Sequence, residues 1–302
     1  MADDKASNNK TGLLMEMGTC QTASFRVLIE ALKEVLKDVN IKFTGIEPGN
    51  PNSGGMTIAA MNASQSVLIK LRLPARCFDS YFLNAKCGKN HVIGVNMNSF
   101  FKLIKTMSND DNLTLYIEES DTNNLGIRLE NGEKKYVTTY KLKLLELSNH
   151  DTNLPNSQFQ YMISIPSDRF HKIIRDASSI AEFMDIKFVD TKDNANTLIF
   201  SCRGEFASQE TILTDNTDGL SVTKNIDVKN DCIVQGLYDL KNLTLFTKCG
   251  NLCSNIELYL KNNYPLVIKY QVANLGWVYL VLSPINNNHI IDSDSNSDSD
   301  SD

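Results

Sequence analysis

Two stretches of this 302-residue sequence recur at an offset of about 144 positions. Ala63-Ser64-Gln65-Ser66-Val67-Leu68-Ile69 is echoed by Ala207-Ser208-Gln209-Glu210-Thr211-Ile212-Leu213. Lys105 with Asn112-Leu113-Thr114-Leu115-Tyr116-Ile117 is echoed by Lys248 with Asn255-Ile256-Glu257-Leu258-Tyr259-Leu260. One shared tripeptide would be chance composition. Two matches in the same order at nearly one spacing indicate a duplicated structural unit, and the length suffices for two domains with their own cores.

Hydrophobic periodicity gives each copy many short strands and two helices. Alternation or short apolar runs mark strands at 56–61, 66–73, 113–118, 124–130, 134–144, 159–165, 197–202, 256–260, 265–272 and 277–282. Asn131-Gly132 signals a hairpin, because both residues accept positive φ. Helices are expected at 24–38 (Leu28, Leu32, Val35 and Leu36 inward, Ser24 as N-cap) and at 98–107 (Phe100, Leu103, Ile104, Met107). Two more are expected at 167–180 (Phe170, Ile173, Ile174, Ala177, capped by Ser167) and at 238–248 (Leu240, Leu243, Phe246). The fold class is therefore α+β.

Composition narrows the function. Of the formal charge of -6, five units belong to Asp292, Asp294, Asp298, Asp300 and Asp302, so the body is nearly neutral and a DNA partner is not excluded. The Ser/Asp/Asn run of 286–302 lacks apolar residues enough to order itself and reads as a disordered acidic tail. No signal core or membrane span is visible, which points to a protein with no membrane partner. The seven scattered cysteines suit reduced thiols better than a disulfide framework. Gly49-Asn50-Pro51-Asn52-Ser53-Gly54-Gly55 lacks the lysine of a phosphate-binding loop and reads as a hairpin loop. The four histidines are far apart in sequence, and Cys249/Cys253 has no second half of a zinc motif. Neither a metal site, a cofactor site nor a nucleophile paired with a base is legible, so no enzyme is expected.

Each helix carries a basic pair on one side: Arg26 and Lys33, Lys102 and Lys105, Lys172 and Arg175, Lys241 and Lys248. For a single helix this is an ordinary solvated face; four in a row fit weak, salt-dependent contact with phosphates that reads no bases. Glu30, between Arg26 and Lys33, is placed to pair along its helix and weaken that face.

Several ordered blocks resemble the proliferating cell nuclear antigen (PCNA) family of DNA polymerase sliding clamps. They are 55–73 (GMTIAAMNASQSVLIKLRL), 78–84, Gly94-Val95-Asn96 leading into the helix with Lys102 and Lys105, and Tyr140-Lys141-Leu142-Lys143-Leu144. Pro166-Ser167 leading to Arg175-Asp176, and Tyr264-Pro265-Leu266-Val267 through Pro284, complete the set, which covers roughly 13–285. The resemblance implies a DNA clamp fold, with sheets outside and helices inside, closing as a homotrimer. It implies a flexible extension 1–12, clamp domains 13–143 and 157–285, a connector 144–156 and the tail 286–302. Arg26, Lys33, Lys102, Lys105, Lys172, Arg175, Lys241 and Lys248 match DNA-facing positions; Val27 stands where a lysine is common. Subunits would join along edges near 133–143 and 204–213, where Tyr140 matches an interface tyrosine, although a strand aromatic packed within its own domain is an equal reading from the residue alone.

A partner-peptide pocket would be lined by Met61, Gln65, Leu144, Leu147, Leu154, Pro265, Ser283, Pro284 and Ile285. Gln65 replaces a common histidine, and 148–153 (SNHDTN) is unusually polar for the connector; Met61 and Leu154 also suit a core. The implied function is a processivity factor that encircles duplex DNA without sequence preference. It would tether a DNA polymerase, clamp loader, flap endonuclease and ligase through PCNA-interacting peptides, in a nucleus or at a cytoplasmic site of viral DNA replication. The Asn-rich composition and altered connector suggest a large DNA virus as source. The alternative is a monomeric DNA-binding scaffold that never closes.

Overall fold

The computed structural model of the chain describes residues 12–50, 52–62, 64–148, 158–190, 196–224 and 232–285. The expected extension up to residue 11, the tail 286–302, Leu154 and the connector beyond residue 148 lie outside the described residues.

The first half runs β1 (Leu13–Thr19), α1 (Thr22–Val35), β2 (Asp38–Thr44), β3 (Gly55–Met61), β4 (Val67–Pro74), β5 (Ser80–Leu83), β6 (Asn90–Asn96), α2 (Met97–Ile104), β7 (Asn112–Glu118), β8 (Asp121–Asn131) and β9 (Tyr136–Lys143). The second runs β10 (Tyr161–Pro166), α3 (Ser167–Ser178), β11 (Phe183–Asp190), β12 (Thr197–Arg203), β13 (Ser208–Thr214), β14 (Ser221–Lys224), β15 (Cys232–Asp239), α4 (Leu240–Leu245), β16 (Asn255–Leu260), β17 (Leu266–Val272) and β18 (Gly276–Leu282). Strand, helix, five strands, helix, three strands: the order occurs twice. Pairing repeats with it. β1 lies antiparallel between β5 and β7 as β10 lies between β14 and β16. β2 lies between β3 and β6 as β11 lies between β12 and β15, and β4 and β13 pair with β3 and β12. The chain divides into two compact units, one built mainly on each half.

Each helix buries one stripe. In α1, Phe25, Leu28, Ile29 and Leu32 are buried at i, i+3, i+4 and i+7, and in α3 Phe170, Ile173, Ile174 and Ala177 repeat that spacing. Phe25 meets Phe100 of α2 edge to face at 6.3 Å, and Phe170 meets Phe200 of β12 the same way at 6.1 Å. A fully buried side chain of this size contributes about 2 kcal/mol.

Several local expectations are corrected. Helix α1 begins at Thr22, whose hydroxyl donates to the Ser108 and Asn109 carbonyls at 3.2 and 3.1 Å; Ser24 lies inside the helix and is not its cap. Ser167 is the first residue of α3, and its hydroxyl donates across to the Gly250 carbonyl at 3.5 Å instead of capping. Helix α4 starts after Asp239, whose carboxylate accepts from Asn242 N at 3.2 Å, and it gives way to a 3-10 segment at Phe246–Asn251. The hairpin at 131–132 exists, but its left-handed residue is Lys135, with φ 52. Asn131 is drawn into the interior, where it donates to Asp111 and accepts from Lys134 N, both at 2.8 Å.

Asp111 also accepts from Ser108 N at 2.8 Å and from the Tyr136 hydroxyl at 2.9 Å. Burial pushes its carboxyl up, but the donors Asn131, Ser108 and Tyr136 and the Lys134 charge outweigh that and hold it below the usual range. This buried carboxylate fastens the start of β9 to the turn before β7.

Candidate nucleic-acid interface

The basic residues divide into two groups by what surrounds them. In the first unit, Lys102 and Lys105 are exposed at the C-terminal end of α2, where a cation also complements the helix dipole. Arg26 is half-buried; its guanidinium donates to the Met107 carbonyl and, at 2.9 Å, to Asn109 Oδ1, tying α1 to the turn after α2. Lys33 pairs with the adjacent Glu34 and lies 4.9 Å from the Phe101 ring centre, with a side chain only 18% exposed. Its carboxylate partner is Glu34, not the expected Glu30.

In the second unit Lys172, Arg175 and Lys241 are all exposed. Arg175 near the end of α3 and Lys241 in α4 line one open cavity of about 790 Å³. The expected seven-residue spacing of Lys241 and Lys248 does not hold as a helical face, because Phe246–Asn251 is 3-10, with about three residues per turn. The Lys248 side chain lies outside what is described. Beside these cations His171 is buried, 3% exposed, against Gly250; a Cβ there would sit 2.6 Å from its Nδ1. Burial, helped by Arg175 and opposed by Asp168, lowers the His171 pKa to about 4, so the ring is neutral at pH 7.

Three of the expected pocket residues come together. Met61, Gln65 and Leu147 line a cavity of about 440 Å³ in the first unit. Met61 is 40% exposed and is not a core residue. Gln65 has φ 55, a left-handed conformation held by Asn62, whose side chain accepts from Ser66 N and Val67 N at 3.0 Å each. Asn40 donates to the Ser148 carbonyl at 3.1 Å and fastens residue 148, where the connector was expected, to β2. Pro284 and Ile285 line a separate cavity in the second unit, and Leu144, Pro265 and Ser283 line neither. Sequence reasoning missed Asp38, Asn40 and Asn62 in the first cavity; the Asn62-x-x-x-Ser66 spacing of a side-chain-closed turn was the available signal.

Among the strands that end the sheets are β9, in the order β5-β1-β7-β8-β9, and β13, in the order β13-β12-β11-β15. Both carry exposed apolar groups, Val137 at 58% on β9 and Ile212 at 53% on β13, with Phe206 at 78% just before β13. Tyr140 of β9 is half-buried, its hydroxyl 3.3 Å from Thr106 Oγ1. Among the described residues no group of three or more His, Cys, Asp or Glu could hold a metal ion, and no helix is long and apolar enough to cross a membrane.

Residues 14–152 match the family described as proliferating cell nuclear antigen, N-terminal domain, and residues 153–285 match its C-terminal domain. A probable DNA polymerase sliding clamp of Paramecium bursaria Chlorella virus 1 is 29% identical over 90% of this chain and 97% of that protein. Another, of Acanthamoeba polyphaga mimivirus, is 32% identical over 78% of the chain, which spans only 48% of that relative. The proliferating cell nuclear antigen of Chaetomium thermophilum is 25% identical over 90% of the chain and 98% of that protein. Among solved structures, the antigen of Entamoeba histolytica shares the fold with a TM-score of 0.76 at 20% identity, covering 91% of this chain and all of that one.

Proposed function

The chain belongs to the proliferating cell nuclear antigen family and is a DNA sliding clamp, and from that premise we propose that three copies close head to tail around duplex DNA. The observation that carries this reading is the pair of unlike bare edges. Strands β9 and β13 sit at the ends of different sheets, each with exposed apolar side chains, and a bare edge of this kind invites pairing with another chain. Joining one copy's β9 to the next copy's β13 is a heterologous contact, which forms a ring when the rotation closes. Tyr140 would lie in that junction.

Within the ring, the exposed Lys102, Lys105, Lys172, Arg175 and Lys241 would face phosphates and leave the bases unread, which permits sliding. Lys33 and Arg26 would contribute less, since their cations already have partners. The cavity of Met61, Gln65 and Leu147 would take the aromatic anchor of a short peptide from a polymerase, clamp loader, flap endonuclease or ligase. The chemistry would belong to those partners, acting in a nucleus or at a cytoplasmic site of viral DNA replication. The domains would divide as 13–143, connector 144–156 and 157–285.

The test is solution mass by sedimentation, together with retention on nicked circular DNA after loading. A trimer that stays on circles and slides off once they are cut is expected. A monomer at micromolar concentration that never becomes trapped on circles would overturn the proposal.

A further inference from the structure

Five neighbouring strands, in the order β18-β4-β3-β2-β6, share an outward face whose chemistry neither the duplex contact nor the peptide pocket explains. Alternation along β2, β3 and β4 turns Ile41, Phe43, Ile58, Leu71 and Leu73 inward and Lys42, Thr57, Lys70 and Arg72 outward. Pairing lines these residues up. Val92 of β6 faces Lys42, Lys42 faces Thr57 and Thr57 faces Arg72, while Lys70 stands beside Ala59, two positions along β4 from Arg72. The row is displaced by two positions along β2 and β3 from Asn40 and Ala59, which line the Met61 cavity.

The row continues onto β18, which belongs to the first unit as far as Tyr279. A Cβ on Gly276 would lie 2.2 Å from the Arg72 carbonyl oxygen and 3.0 Å from the Leu73 side chain, so Gly276 packs directly on β4 and turns inward with Leu73. Trp277 and Tyr279 therefore turn outward at the Arg72 end, and both are half-buried. The five strands hold one acid, Asp38, at the start of β2, where it accepts from Asn96 Nδ2 at 2.6 Å. Lys42, Lys70 and Arg72 form no ion pair among the described residues, in a chain whose formal charge is -6. Arg72 donates to the Gly54 carbonyl at 2.7 Å, which steadies the guanidinium and leaves other N–H groups for a ligand. Positive charge without a partner thus stands next to two aromatic rings.

We infer that this face binds single-stranded nucleic acid. Neighbouring strands lie about 4.8 Å apart and alternate residues of one strand about 7 Å apart, so the three cations form a compact patch that can follow the phosphates of one strand. The partly exposed rings of Trp277 and Tyr279 offer surfaces on which unpaired bases stack, and a duplex hides those base faces. An acidic peptide would satisfy the cations and leave the rings idle. One copy of the chain supplies every residue, so the site does not depend on ring closure.

Trp277 is the only tryptophan in the sequence, so intrinsic tryptophan fluorescence reports on this face. With the full chain, an oligothymidine of about ten nucleotides should quench that fluorescence, and less so as salt rises. A blunt duplex and an oligoglutamate at equal concentration should not. Anisotropy of labelled oligothymidine should show affinity about tenfold weaker in Trp277→Ala. Lys42→Glu combined with Lys70→Glu, both at exposed positions, should weaken it by about the same factor and lower the salt slope by about 1.4, with affinity for duplex DNA unchanged. No quenching by oligothymidine, or equal quenching by the duplex, would overturn the inference; equal quenching by oligoglutamate would also do so and would mark an acidic-peptide site. So would parent-like oligothymidine affinity in the doubly reversed variant, or an equal loss of duplex affinity there, since either places the contact elsewhere on the chain.

Discussion

The two units share element order and strand pairing, yet they present positive charge differently. In the first, Arg26 is tied to the turn after α2 and Lys33 to Glu34 and the Phe101 face, which leaves Lys102 and Lys105 free toward solvent. In the second, Lys172, Arg175 and Lys241 are all exposed, and two of them share one cavity. Duplication preserved the scaffold, whose buried stripes cannot drift without loss of packing. It did not preserve the surface, where a charge can move or be neutralised at little cost.

The sharpest way to separate the units is acid. His171 is held at about pKa 4 in the folded second unit, below the ordinary 6.5, so the stability that its neutral form contributes is complete above about pH 6.5 and falls away below it. By pH 4 the loss is about 3 kcal/mol. Asp111 in the first unit is also depressed, but from the carboxylate range, so its contribution is lost only below about pH 4. Amide exchange, corrected for intrinsic rates, should show the second unit opening first between pH 6 and 4. Simultaneous or reversed loss would break the comparison.

The charge asymmetry comes next. Reversing Lys172, Arg175 and Lys241 to glutamate should cut affinity for duplex DNA about a hundredfold at physiological salt and lower the salt slope by about 3. Reversing Lys102 and Lys105 should cost about thirtyfold and a slope of about 2. Titration by fluorescence anisotropy at several salt concentrations distinguishes the two; equal effects would show that the extra exposed cation makes no contact. At the edges, Val137→Asp on β9 and Ile212→Asp on β13 should each leave melting of the chain within about 0.5 kcal/mol of the parent. Both should shift light-scattering mass toward the monomer, with Tyr140→Ala shifting it less. A variant that lowers stability and keeps the parent mass would place that strand outside any subunit junction.

The smallest contrast lies in two turns. Gln65 and Asn263 both adopt left-handed conformations, at φ 55 and 58, but a long side chain is less at ease there than asparagine. Gln65→Gly should stabilise the chain by about 1 kcal/mol in urea denaturation, and Asn263→Gly by less. The reverse order would mean that Gln65 is held by contacts worth more than its strain.

Helices α1, α2 and α3 were legible because their buried residues follow one period and nothing interrupts it, whereas α4 gives way to a 3-10 segment that its apolar spacing did not reveal. Strands such as β11 were not: Met184, Ile186 and Phe188 alternate as they should, but Asp185 and Lys187 fill the other face, and the strand ends on a buried charge. That last residue, Asp190, accepts from the Tyr161 hydroxyl at 2.9 Å and pairs with Lys224 at 2.7 Å, partners far away in sequence. Caps were misread for a similar reason. The expected cap Ser24 lies inside a helix that starts at Thr22, whose hydroxyl bonds carbonyls of a distant turn, and the hydroxyl of the expected cap Ser167 goes to the Gly250 carbonyl; no local pattern reveals either. The candidate cations were found by helical spacing, but spacing could not say that Asn109 and the Met107 carbonyl would claim Arg26. The cavity around Gln65 was located through family likeness, and its polar rim of Asp38 and Asn40 became visible only with the fold.

That β9 and β13 are different strands has a consequence for traffic on the duplex. Copies that meet through unlike edges all point the same way, so the two flat sides of such an assembly are chemically distinct. Whatever docked on one side of the proposed ring would therefore travel with a fixed heading along the DNA, and the ring would carry a sense of forward and backward that no single copy needs to encode.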